Sequence, residues 1–368
     1  MKQFLVIQTA FLGDAVLVTS IVEKLHAFFP DAAIDLVVRK GNEGLFGFRA
    51  TTLGSSGTVD PPGRPSNAGK AHLHPFLRHL FVWDKRKGKN KNLFALISDL
   101  RRTEYDHIIN CQRFLSTGLM TVLARGKEKI GYDKNPLSAL FTRTVKHIIG
   151  DGRHEVDRLN ALIEHLTDST RPLPRLYPST EDRAKVEGII RSHGLTSNAH
   201  HEPMGTWTHG HMPYVCIAPA SVWFTKQWPE HKWIELVRTL PREQQVFIIG
   251  APGDTALAQR IIAASGRGVD LTKDLRLLES AALMEGATMN YVNDSAPLHI
   301  ASAMDAPVTA IFCSTVPAFG FGPLRTNGRA VETPEKLDCR PCGLHGHRAC
   351  PKGHFKCAEG IATKQLMR

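Results

Sequence analysis

Apolar positions along this chain follow two spacings in turn. Phe4 to Gln8 (FLVIQ) is a short β-rich run, and from Asp14 to Phe29 apolar residues recur at helical spacing until Pro30 stops the pattern. Ala33 to Val38 then returns to strand character, so the chain opens as strand, glycine turn, helix and strand, the start of a parallel α/β sheet. The alternation resumes with a strand from Leu80 to Trp83, a helix from Asn92 to Thr103 and a strand from His107 to Cys111. A second series runs Tyr214 to Ala218 (strand), Pro229 to Leu240 (helix) and Gln245 to Ile249 (strand). Helices from Asp254 to Ser265 and Leu277 to Gly286, and strands near Asn290 to Val292 and Val308 to Phe312, complete it.

The rhythm breaks where Gly, Ser, Pro or His accumulate. These breaks divide the chain into a first Rossmann-like domain over residues 1–168, with an insertion at about 49–72, and a polar, Pro-rich linker over 169–179. A second Rossmann-like domain covers 180–338, with an insertion at about 197–212, and a Cys-rich segment covers 339–368. The fold class expected is therefore α/β, with two doubly wound domains facing a cleft, and open sheets of this kind bind ligands at the carboxyl ends of their strands.

With 368 residues, 42% hydrophobic and 22% charged, this is an ordinary globular composition. The formal charge of +11 favours anionic partners, among them nucleic acid, anionic lipid and phosphorylated sugars. Its densest basic patch, Lys85 to Lys91 (KRKGKNK), reads as a solvated loop, with a lipid-phosphate contact as the other reading. Asp14 interrupts the apolar N-terminal run, no stretch is apolar enough to span a membrane, and seven cysteines without a secretory signal suit a reducing compartment. A cytoplasmic location is expected, with peripheral membrane contact as an option.

Three loops carry residues with chemical potential. Gly13 and Asp14 follow the first strand, where the aspartate either caps the next helix or aims a carboxylate at an acceptor hydroxyl. In PASVWFTKQWPEHKW (219–233), Ser221 and Lys226 occupy a post-strand loop, and the lysine is either an ordinary surface cation or a counter-charge for a leaving diphosphate. Asn293 to His299 (NDSAPLH) joins a strand to a helix starting near Ala296, an arrangement that either caps a helix or holds phosphate on backbone N–H groups.

In order and spacing, the elements QTAFLGDAVLVTSIVEKL, KEKIGYDKN, APASVWFTKQWPEHKW, IIGAPGD and NDSAPLHIASAMDAP resemble glycosyltransferase family 9, the bacterial lipopolysaccharide heptosyltransferases of GT-B type. The resemblance implies an inverting, metal-independent transfer of heptose from ADP-L-glycero-D-manno-heptose to the lipid A/Kdo inner core, with no cofactor required. Asp14 then matches the catalytic base, and Ser221, Lys226, Asp294, Ser295, Ala296 and His299 match donor-binding positions, Ala296 standing where the family usually has glycine. Thr9, Arg113, Lys129, His154 and Arg158 fall where the family's first domain meets acceptor. Other family members imply the alternative of a different nucleotide sugar or acceptor.

Cys339, Cys342, Cys350 and Cys357 form C-x2-C-x7-C-x6-C, which permits a structural zinc, although zinc ribbons usually carry two close pairs and reduced thiols are the preferred reading. The four histidines of the second insertion, His200, His201, His209 and His211, have no carboxylate or thiol at ligand spacing and read as a solvated loop. A nicotinamide-dependent oxidoreductase would need G-x-G-x-x-G after a first strand, and neither series has it. A basic nucleic-acid-binding protein with a Cys/His metal site is the rival of another class, with salt-dependent binding as its mark; the transferase reading expects no nucleic-acid partner.

Overall fold

In the computed structural model, which describes residues 1–47, 74–86, 88–195, 213–324, 326 and 328–367, both apolar series become sheets. The insertions expected at 49–72 and 197–212, with the four histidines of the second, lie outside the described residues. The chain divides into two units, Met1–Tyr177 and Pro178–Arg368.

In the first unit β1 (Gln3–Gln8), β2 (Ala33–Arg39), β3 (His79–Trp83), β4 (Tyr105–Asn110), β5 (Gly126–Tyr132) and β6 (Arg143–Val145) form one sheet in the order β3-β2-β1-β4-β5-β6. Every pairing is parallel. Around it lie α1 (Leu12–Leu17), α2 (Thr19–Phe28), α3 (Lys89–Leu100), α4 (Leu115–Leu123) and α5 (Glu155–Ala161). A parallel sheet covered on both faces needs strands that are apolar throughout rather than alternating, and Phe4, Leu5, Val6 and Ile7 are all fully buried.

The second unit repeats the winding. It opens with α6 (Thr180–Ser192), then β7 (Tyr214–Ala218), α7 (Glu230–Thr239), β8 (Gln245–Ile248), α8 (Thr255–Ser265), β9 (Val269–Asp270), α9 (Leu277–Glu285), β10 (Met289–Asn293), α10 (Ala296–Ala303), β11 (Val308–Phe312), β12 (Gly328–Glu332) and α11 (Lys356–Glu359). Its sheet order is β12-β11-β10-β7-β8-β9, again wholly parallel. Trp228 and Trp233, both buried, meet edge-to-face at 5.2 Å and anchor α7 to this sheet.

One long helix expected from Asp14 to Phe29 is in fact two, parted at Val18. The Thr19 and Ser20 hydroxyls donate back to the carbonyls of Val16 and Leu17 at 2.7 and 2.8 Å, and such local bonds compete with the main-chain ladder. Residues 168–177 run along α2: Lys24 Nζ donates to the carbonyls of Asp168 and Thr170, Arg175 N–H to Thr19 and the Tyr177 hydroxyl to Glu23. Midway along β2, fully buried Asp35 accepts from Arg78 and from the Tyr105 hydroxyl, tying β2 to β3 and β4. Burial pushes its carboxyl up, but the bonds from His79, Arg78 and Tyr105 outweigh that and hold it below the usual carboxylate range.

Candidate active site

In a sheet wound this way, the loops after the two strands where the winding reverses splay apart and leave a crevice. The reversal lies between β1 and β4 in the first unit and between β7 and β10 in the second. Asp14 follows β1, Lys226 follows β7, and the Asp294–His299 turn follows β10. The three loops singled out by residue type therefore all sit at winding reversals.

In the first unit, the turn after β1 is held from several sides. The Gln8 side-chain Oε1 accepts from the Gln112 side-chain amide at 2.5 Å and from Ala10 N–H at 3.3 Å, and the Asn42 side chain donates to the Ala10 carbonyl at 3.1 Å. Lys85 Nζ donates to the Thr9 carbonyl at 2.6 Å and lies 3.3 Å from its hydroxyl. Asp14 is partly exposed and occupies the third position of α1, not the cap; its Oδ2 accepts from Phe11 N–H at 3.2 Å. This bond ties the carboxylate to the start of α1.

Beside this turn, Arg39, Lys40, Trp83, Lys85 and Arg86 line a cavity of about 240 Å³. The solvated-loop reading of the KRKGKNK patch is corrected at its first residue. Lys85 is packed 4.6 Å over the Trp83 ring, and burial, together with Arg39 and Lys89, lowers its pKa to about 8. Periodicity gave no sign of this, because the residue lies just past the end of β3.

The other acceptor-side candidates fall into two places. His154 caps α5, its Nδ1 accepting from Val156 N–H at 3.1 Å, while buried Arg158 donates to Glu155 and to the Arg153 carbonyl, both at 2.7 Å. Arg113 and Arg158 both act on His147, whose pKa falls to about 4, chiefly through burial and then through these two cations. Lys129 stands apart, its Nζ donating to the Val122 carbonyl at 2.5 Å.

In the second unit Lys226 Nζ and Asp294 Oδ2 are 2.6 Å apart, and the Thr315 hydroxyl donates to the same oxygen at 2.6 Å. Fully buried Asn293 fixes both ends of the lysine loop, donating to the Pro219 carbonyl at 2.8 Å and accepting from Trp228 N–H at 2.9 Å. Gln227 spans the loop to the Ser221 carbonyl at 2.6 Å. Ser295 is the extended residue before α10, and Ala296 is its first helical residue. Among the described residues only Asp305 and Phe355 have positive φ outside glycine, so Ala296 bears no left-handed strain. His299 is buried in the second turn with its ring 6.2 Å from Phe321. Thr315, which the sequence reading passed over, and Asn293, which it named in the motif without a role of its own, are the residues that tie this arrangement together.

Cys339 Sγ lies 3.8 Å from His354 Nε2, and among the described residues no three His, Cys, Asp or Glu side chains gather as a metal-binding set.

Residues 93–348 match the family described as glycosyltransferase family 9 (heptosyltransferase). The chain belongs to glycosyltransferase family 9. The family 9 chain is 26% identical over 250 residues to lipopolysaccharide heptosyltransferase 1 of Pseudomonas aeruginosa, spanning 66% of this chain and 63% of that relative, under two thirds of its length. In structure it resembles a family 9 glycosyl transferase from Veillonella parvula, with a TM-score of 0.76 at 19% identity over 100% of this chain and 95% of the other. It also resembles E. coli heptosyltransferase WaaC, solved with ADP, at a TM-score of 0.64 and 19% identity over 99% and 98% of the two chains. Two doubly wound α/β units are the pattern these family 9 folds share with it.

Proposed function

We propose that this family 9 protein transfers a heptose, with inversion, from an ADP-activated donor to an anionic lipid acceptor of the lipid A/Kdo type. The observation that carries the reading is the Lys226–Asp294 pair beside the start of α10, at the winding reversal of the second sheet. A diphosphate leaves a sugar slowly unless its growing charge is met, and a lysine together with the N–H groups of a helix start meets it. Asp294, as a carboxylate, accepts only, so it suits sugar hydroxyls and the orientation of Lys226 rather than phosphate. Ser221 and Ser295 add hydroxyls at the same end of the sheet. Asp14 takes the proton of the acceptor hydroxyl as the new bond forms, which gives single displacement and inversion.

With Lys226 as the counter-charge, the reading needs no divalent ion. ADP-heptose should therefore be turned over in the presence of a chelator, faster than UDP- or GDP-linked sugars in a donor screen. Turnover of another nucleotide sugar with ADP-heptose inert would overturn the donor assignment.

On the acceptor side, Arg39, Lys40, Lys85 and Arg86 form a cationic cavity beside the Asp14 turn, suited to phosphate or carboxylate. At the ends of the neighbouring strands β4 and β5, Phe114, Leu115 and Leu140 are each more than half exposed, which suits acyl chains at a membrane surface and supports peripheral association on the cytoplasmic side. No described helix is long and apolar enough to cross a membrane. Because the Lys85 pKa is about 8, its charge is present below that pH and lost above it. The KM for acceptor should accordingly rise as pH goes from 7 to 9.5, and Lys85→Arg should flatten that rise. An identical pH profile in the variant would remove Lys85 from acceptor binding.

A further inference from the structure

The C-terminal Cys-rich segment is not absorbed by the chemistry above, yet it is bonded at two points to residues that adjoin or contact the Lys226–Asp294 pair. Arg340, with little exposed side chain, donates to the carbonyls of Cys313 at 2.7 Å, Phe312 at 3.0 Å and Thr315 at 2.7 Å, and pairs with Glu332. Cys342 N–H donates to the Ser314 carbonyl at 2.8 Å. These bonds fix the turn after β11, and that turn carries the Thr315 hydroxyl bonded to Asp294.

At the second point, Thr225 N–H donates to the His347 carbonyl at 3.1 Å, and His347 N–H returns a bond to the Thr225 hydroxyl at 2.7 Å. Ser314 Oγ reaches the same hydroxyl at 3.1 Å. Gly346 makes this approach possible: its φ is +78°, and a Cβ there would stand 2.9 Å from Thr225 Oγ1 and 3.0 Å from Lys226 Cγ. Both tolerances, the left-handed backbone and the missing side chain, are glycine's. One grip acts on the aspartate through Thr315, the other on the lysine through its neighbour.

We propose that segment 339–347 is a positioning element of the donor site, with Arg340 and the Gly346–His347 turn setting where the Lys226 ammonium stands for an incoming diphosphate. This rests on the assignment of Lys226 to the donor. An ammonium on a flexible four-carbon stem has many rotamers, and only an ordered backbone and a fixed carboxylate select one.

The test is a double-mutant cycle on ADP affinity in the full chain, because a residue that acts through Lys226 has nothing to act on once Lys226 is gone. Gly346→Ala and Arg340→Met should each weaken ADP binding about tenfold in the native background and less than about twofold beside Lys226→Met. The same penalty in both backgrounds, or none in the native one, overturns the proposal. If the native chain binds no ADP, the donor assignment fails instead, and the clasp is read separately from acylation of Lys226, followed by peptide mass spectrometry. A rise in its labelling rate of about fivefold in both variants supports the clasp, and an unchanged rate overturns it.

Discussion

Asp14→Asn should lower kcat by on the order of 10²- to 10⁴-fold, the usual contribution of a positioned general base. Asparagine keeps the shape of the side chain and an oxygen able to accept from Phe11 N–H, the bond that ties Asp14 to the start of α1 at 3.2 Å. Loss of a helix-start bond of this kind costs about 1 kcal/mol, so a variant that retains it separates chemistry from folding. ADP affinity should stay at the native value, because every residue assigned to the donor belongs to the second unit. Transfer at the native rate in Asp14→Asn would place the base elsewhere.

Lys226→Met should be almost as damaging, lowering kcat/KM for donor by about 10²- to 10³-fold, the range found when one donor to a developing negative charge is removed. It has a second cost. Asp294, its side chain 7% exposed, loses the cation at 2.6 Å while the Thr315 hydroxyl stays bonded to the same oxygen. An ionised carboxylate left without its cation is destabilising by roughly 3–5 kcal/mol in buried pairs. Adding Asp294→Asn should therefore restore much of the melting temperature without restoring transfer. If the double variant recovered both, the pair would be a structural clip and the donor cation would lie elsewhere.

Much of the fold was legible because a covered parallel sheet requires strands apolar on both faces, and FLVIQ, YVCIA and VTAIF announce themselves as such. β5 (GKEKIGY) did not, since its first half is charged and its apolar residues cluster at one end. The break at Val18 was hidden too, because it depends on where two hydroxyls point rather than on spacing. The residues proposed for the chemistry, Asp14 in the first unit and Lys226 and Asp294 in the second, stood out by motif. The groups that hold them did not: Gln8, Asn293, Thr315 and Arg340 are polar residues of common kinds whose importance is burial and direction. Lys85 was read only as one cation in a basic run, and what sets it apart is the indole beneath it and its bond to the Thr9 carbonyl.

The contact between Lys226 and Asp294 also bears on how such a site lives among the anions of a cell. A lone exposed ammonium would gather inorganic phosphate and any nucleotide that passed. With its charge already satisfied at 2.6 Å, Lys226 offers little to a weak competitor, and a ligand must bring enough further contacts to make the exchange favourable. On the proposed assignment a sugar diphosphate does so, giving its hydroxyls to the carboxylate and its phosphates to the amine. On the donor assignment proposed above, the resting pair sets a threshold that favours a ligand able to engage both halves at once over a simple anion.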